Sequence, residues 1–302
     1  MREIIGKTYL SMGMRRPAVG CAIQGDDCLA LKVVNDPDGW AIDWALGGCL
    51  KEEEFRRELA SKTGKIHLWV PLLEEGALQS SVSVGVELGA LGEERLDSRT
   101  RLSAMRTQTL SRLPEREGVI LRGCEMADVI STDRHLVGSA AIRRRVVADL
   151  KMWSKDIKVR NPHLASTSMA LANSYLALYY ERNQKETPLR FLVLEGRTRS
   201  RGIVMDGWKF TDSLELKTMQ GHRMNKLMID QWVSEVSSRH RFATPPVPLV
   251  VLDAGGTTEM PYETWTPFPH PRVHMTDAFR AMVEENQDLA TVAFGMALQG
   301  GA

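Results

Sequence analysis

Leu249-Val250-Val251-Leu252-Asp253-Ala254-Gly255-Gly256-Thr257-Thr258-Glu259-Met260-Pro261 has the pattern of a buried strand running into a Gly-Gly turn. Glycine lets the main chain turn and approach a neighbour with no Cβ in the way, so such a turn brings backbone close to whatever lies beyond the strand. Downstream comes a second strand-like piece over residues 272–275, then Asp277-Ala278-Phe279-Arg280. The chain closes with a helix rich in small residues that carries Leu289, Val292, Ala293 and Met296. Alone the turn is a modest signal; the order of parts around it is the informative feature.

Upstream, two sets of three strand-like runs mirror each other. The first spans residues 19–23, 28–34 and 40–46, separated by Gln24-Gly25-Asp26-Asp27 and Asn35-Asp36-Pro37-Asp38-Gly39. Both separators are strong turn chemistry, so the runs read as an antiparallel meander. A charged helix over 51–62 follows, with Phe55 and Leu59 on its apolar side and Gly64 as its stop, then a strand over 66–70. The second set spans 191–194, 202–205 and 210–216, with an Asp206-Gly207 hairpin. It is followed by a helix over 224–236 whose Met224, Leu227, Met228, Trp232 and Val236 read as a core-facing stripe.

Between the two sets the texture changes. A basic helix is expected over 101–113, a strand over 118–121, and a helix over 142–153 with Arg143, Arg144 and Arg145 in its first turn. Three arginines at a helix N-terminus oppose the macrodipole. They read either as a solvated face or as a patch for an acidic partner or anionic headgroups. A small-residue helix over 164–180, ending in Tyr175, Tyr179 and Tyr180, leads into the second set.

Composition excludes several classes. The chain has 302 residues, enough for two lobes with separate cores, and its 39 basic and 38 acidic residues leave a net charge of +1. Nothing in that balance points to nucleic acid. No apolar run reaches the ~18 residues of a membrane helix. Ala18-Val19-Gly20-Cys21 looks like a lipid-attachment box, but Arg15, Arg16 and Pro17 stand where the apolar segment of a signal should be. Cys21, Cys28, Cys49 and Cys124 lack Cys-x-x-Cys spacing and read as free thiols of a reducing compartment. His270 and His274 have no cysteine or carboxylate cluster beside them, so no metal is expected.

The order of elements, with Gly255-Gly256 near its end, resembles the PilM family of actin-like proteins of the type IV pilus platform. The resemblance implies an α/β fold with mixed sheets, the actin-like (ribonuclease-H-like) two-lobe fold. Residues 1–180 form the first lobe, with a small inserted subdomain at about 97–160, and 181–302 form the second, reduced lobe. The last helix is expected to return to the first lobe.

Three glycine-bearing turns surround the nucleotide in working relatives. The first usually reads Asp-x-Gly, its amides holding phosphate oxygens while the Asp orients hydrated Mg²⁺. The matching positions are Ala22, Ile23 and Gln24, with Gly25 displaced by one and followed by Asp26 and Asp27, whose charge would repel phosphate. The second turn reads Leu194-Glu195-Gly196-Arg197-Thr198, with Leu194 in place of the acid. The third keeps Gly255 and Gly256, but prolines at 261, 267, 269 and 271 leave no room for the helix expected after them. The span 219–249 is short for the subdomain that covers the base. Gly25, Gly196, Gly255 and Gly256 are therefore the remnant nucleotide site of a degenerate actin-like protein expected not to hydrolyse ATP. Arg197, Arg199 and Arg201 leave room for residual ATP binding, or read as alternate solvent-facing residues of a hairpin.

The resemblance implies a non-catalytic cytoplasmic scaffold, peripheral to the inner membrane, that binds the cytoplasmic tail of a PilN-like bitopic protein. The groove for that tail is expected at about 102–121 and 137–147. The alternatives are a GspL-like type II secretion component, an active ATPase of the sugar-kinase superfamily, and an FtsA-like cytoskeletal protein.

Overall fold

Strands β1 (Ala18–Gln24) and β2 (Asp27–Asp36) pair antiparallel from Ala18↔Val33 to Gln24↔Asp27, which confines their connection to Gly25 and Asp26. Gly25 has φ +63°, the left-handed geometry that a two-residue hairpin of this twist favours. The computed structural model describes residues 17–71, 119–125, 137–143, 148, 151–152, 154–156, 158–159, 162–165, 167–179, 189–194, 199–207, 209–217, 225–251 and 261–301.

β3 (Gly39–Cys49) completes the meander against β2, with a register shift at Lys32/Val33. Helix α1 (Glu53–Thr63) buries Phe55, Leu59 and Thr63 and stops at Gly64, φ +53°, as the sequence predicts. β4 (Leu68–Pro71) then lies parallel to β1. A two-stranded sheet, β5 (Val119–Glu125) with β6 (Val137–Arg143), intervenes before β7 (Pro162–Ala165), which pairs parallel with β4. Helix α2 (Thr167–Leu178) follows.

The same order repeats. β8 (Leu189–Leu194), β9 (Arg199–Asp206) and β10 (Lys209–Lys217) form a second antiparallel meander. Helix α3 (Lys226–His240) leads to β11 (Val247–Val251), parallel to β8, and β12 (Glu263–Trp265) lies parallel to β11. The sheets read β3-β2-β1-β4-β7 and β10-β9-β8-β11-β12, one plan used twice, with β13 (Val273–Met275) added parallel to β3 on the first. This mixed α/β arrangement is the actin-like, ribonuclease-H-like fold.

Helices α4 (Asp277–Glu285) and α5 (Gln287–Gly301) end the chain. Alternation along β1 separates two faces. Ala18 and Ala22 join the core that holds α2 and α5, while Val19 and Cys21 join the core that holds Phe55 and Leu59 of α1. Backbones meet closely on the α5 face. A Cβ on Gly20 would lie 1.9 Å from the Ala293 carbonyl oxygen, and one on Gly295 would lie 1.9 Å from that of Ala170. Ser174 Oγ donates to the Thr291 carbonyl at 2.6 Å, satisfying a hydroxyl sealed between the two helices. Every residue of α2 from Ser168 to Leu178 is buried, as expected of a helix enclosed on all sides.

Several expectations need correction. Ile142 and Arg143 belong to β6, opposite Ile120 and Val119, so Arg143 is not in a helical first turn. Arg144, Arg145 and the expected helix over 101–113 lie outside the described residues. The helix expected over 164–180 begins at Thr167, because Leu164 and Ala165 are claimed by pairing with Val70 and Pro71. On α3, Trp232 and Val236 of the expected stripe are buried with Ile229, and Met228 packs against them, but Leu227 is 78% exposed and Met224 lies outside the described residues. The Asn225 side chain caps this helix by accepting from Met228 N at 3.0 Å. Arg201 is buried rather than solvent-facing, since β9 lies between β8 and β10 with α2 against it. Cys21 and Cys28 are buried free thiols, with Sγ atoms 3.1 Å apart, and Cys49 is half-buried.

Candidate functional site

Of the four glycines expected around a nucleotide, Gly25 is described and sits in the β1–β2 turn. Gly196, Gly255 and Gly256 lie outside the described residues. The strands that lead toward them end side by side, since Leu194 of β8 and Val251 of β11 are register partners. Because Gln24 and Asp27 are themselves paired, the first turn has two residues outside the ladder. A phosphate-binding nest uses several successive amides. Asp26, the acid in this turn, is held by Lys51, Nζ to Oδ2 at 2.6 Å, and its carbonyl accepts from Leu50 N at 2.8 Å. The hydrogen bond that Lys51 donates to Asp26 in turn raises the Lys51 ammonium above its ordinary value. The turn thus carries its own counter-charge.

A second feature lies on the opposite face of the first sheet. Beside α1 runs an open groove of about 540 Å³, flanked by Glu53, Arg56, Arg57 and Lys65 on one side and Asp156 and Lys158 on the other, with the small residues Ala60, Ser61 and Gly64 between. Leu59 and Phe55 face the sheet, so the next positions around the helix, Arg56, Arg57 and Ala60, turn outward into the groove. The far wall is clamped by Val159, which is buried in the same core as Phe55 and Leu59, and by Val159 N donating to the Ser154 carbonyl at 3.0 Å. Lys158 sits at φ +56°, a left-handed conformation uncommon for lysine.

The groove has four basic side chains against two acidic ones, so its field is positive. Arg57 is engaged by Glu53 at 2.5 Å across one helical turn. Arg56, Lys65 and Lys158 make no ion pair among the described residues, and Arg56 Nε is buried with no hydrogen-bond partner there. The sequence expectation put a partner groove at about 102–121 and 137–147. Of that stretch the described residues are the β5 and β6 segments, and the charged groove between α1 and the pair Asp156 and Lys158 is a separate feature. Arg56 and Arg57 were visible only as the charged face of a helix; Lys158 carried no local signal, because residues about 100 positions apart make the groove.

A third cluster ties α2 to the second sheet. The Tyr179 hydroxyl donates to Glu263, and Arg190 Nη1 donates to Glu263 Oε2 at 2.6 Å. Burial, then the Glu263 hydrogen bond, pushes the Tyr179 phenol up to about 12, while the Tyr179 hydrogen bond holds Glu263 below the usual carboxylate value. Nearby, Arg272 Nη1 donates to the Ala177 carbonyl at 3.2 Å and its guanidinium lies 4.9 Å over the Trp40 ring. These contacts leave no carboxylate of the cluster unpaired, and they read as a structural tie between the end of α2 and the second sheet. Among the described residues no group of three or more His, Cys, Asp and Glu is arranged to hold a metal ion, and no helix is long and apolar enough to cross a membrane.

No protein-family model matches the chain, and no curated protein matches it. Solved structures do. A structure of the PilM-PilN type IV pilus biogenesis complex superposes with a TM-score of 0.69 at 14% identity, covering 95% of this chain and 99% of that one. The cytoplasmic domain of EpsL, an inner-membrane component of the type II secretion system of Vibrio cholerae, gives 0.48 at 11% identity, over 92% of this chain and 94% of that one. A Bacteroides thetaiotaomicron protein with an actin-like ATPase fold gives 0.42 at 8% identity, over 82% and 84%. At these identities the likeness speaks to the fold.

Proposed function

We propose that this chain is a non-catalytic scaffold of a type IV pilus or related secretion platform, in which an actin-like body holds the cytoplasmic tail of a PilN-like bitopic inner-membrane protein. The observation that carries this reading is the end-to-end likeness to the PilM-PilN complex, nearly whole chain on nearly whole chain. The groove beside α1 supports it, being a concave surface on a rigid helix suited to an extended segment and furnished with no catalytic constellation. In this reading the protein works in the cytoplasm, against the inner membrane, through its partner's anchor.

The absence of hydrolysis is part of the proposal. It is supported by Leu194 where an acid would orient a metal, and by a first turn reduced to Gly25 and Asp26 with Asp26 already paired to Lys51. The test is calorimetric titration of the full chain with Mg-ATP and, separately, with a synthetic tail of a PilN-like protein from the same genome. Tail binding with no ATP heat at millimolar nucleotide is expected. Micromolar ATP binding with turnover overturns the non-catalytic reading, and failure of every such tail to bind overturns the scaffold.

A further inference from the structure

We infer that the groove between α1 and residues 156–158 recognises a polypeptide segment carrying Asp or Glu side chains, with Arg56 and Lys158 as its anchors. This inference rests on the scaffold reading and adds to it the chemistry of the tail. Charge comes first. Four basic side chains face two acids across the groove, and the Arg57–Glu53 pair leaves Arg56, Lys65 and Lys158 against Asp156. Arg56 is half-buried with Nε enclosed and unsatisfied among the described residues. Arg56 also lines the groove, and the outer nitrogens of a guanidinium can donate two parallel N–H bonds to a carboxylate.

Shape selects a peptide over a bilayer. The groove is concave, about 540 Å³, which suits a few side chains in a row. Outside it stand exposed Glu52, at the N-cap of α1, and exposed Glu54 and Glu58 on α1. A flat anionic membrane would meet those carboxylates along with the cations, whereas a single chain lying in the groove meets walls in which basic side chains outnumber acidic ones. Lys158 belongs to the same wall: its left-handed backbone precedes Val159, which is buried in the core beneath α1 and fixes the main chain there.

The experiment uses the full chain and three probes, read by fluorescence anisotropy. They are the fluorescein-labelled PilN-like tail, the same peptide with every Asp and Glu changed to Asn and Gln, and vesicles of phosphatidylcholine with phosphatidylglycerol. The native tail is expected to bind and the amide peptide to bind at least tenfold more weakly. Raising salt from about 0.05 to about 0.5 M should weaken the native tail by a similar factor. Arg56→Gln should lose at least tenfold and Arg56→Lys should recover part of it. Lys158→Asn, which tolerates the same backbone, provides a second variant should Arg56→Gln fail to fold. A tail that binds equally well as its amide, or whose affinity ignores Arg56→Gln and Lys158→Asn, leaves the scaffold standing and overturns the acidic-segment inference. No binding by any tail overturns both. Vesicle binding that the tail does not displace, and that both substitutions abolish, assigns the groove to lipid and overturns the inference.

Discussion

The seam around α5 and the groove beside α1 cover opposite faces of the same sheet and are built from opposite materials. At the seam, Gly20 and Gly295 bring backbone to within 1.9 Å of where a Cβ would stand, and Ala293, Phe294 and Ala297 are fully buried. At the groove the side chains are long and charged, and the buried part of α1 is limited to Phe55, Leu59 and Thr63. Close packing of this kind tolerates no added atom. Solvent-facing charge contributes little to stability and much to recognition. The two faces of one sheet therefore divide close packing from exposed charge, which in the proposed scaffold is a division of stability from binding.

The sharpest way to break this division is Gly295→Val. Its branched side chain would collide with the Ala170 backbone, so a loss of about 3 kcal/mol is expected in urea unfolding. Stability near the parent value would mean the seam can open without cost. Ser174→Ala removes one buried hydrogen bond to the Thr291 carbonyl and should cost about 1 kcal/mol by the same assay. In the groove the signs change. Lys158→Gly relieves a left-handed lysine and should raise stability by about 0.5 kcal/mol while weakening the tail. A drop in melting temperature would show that the lysine contributes packing. Arg57→Gln, at an exposed pair, should stay within about 0.5 kcal/mol of the parent.

The smallest expected effect belongs to the tie between the end of α2 and the second sheet. Glu263 is depressed in the folded state, chiefly by the Tyr179 hydroxyl and then by Arg190. A group depressed on folding stabilises above its unfolded pKa and loses that contribution as pH falls through its folded pKa. Glu263→Gln should therefore flatten the acid limb of a stability profile below about pH 4.5. Its solvent exposure keeps the change small. An unchanged acid limb would remove the ion pair from any account of how α2 is held to the second sheet.

Both meanders, α1 with its Gly64 stop, and the small-residue terminal helix were legible because the signals are local: turn residues at Gly25, Asp36-Pro37-Asp38-Gly39 and Asp206-Gly207, and apolar alternation over a few residues on either side. Of the candidate site, Gly25 is found in the turn assigned to it, but the groove was not legible. Its walls come from α1 and a turn about 100 residues later, and the residues that matter there look in sequence like any solvated charge.

By itself the sequence determined where the chain turns and which short runs extend, and from their order the fold. Tertiary structure alone decided that Leu164 and Ala165 join β4 instead of a helix, and that Arg201 faces inward while Leu227 faces water. It also decided that β13 adds to the first sheet and that Arg56 and Lys158 share one groove. The physical reason is range. Turn chemistry and periodicity act over a handful of neighbouring residues, whereas strand pairing at an edge and the burial of a side chain depend on what distant chain packs against it.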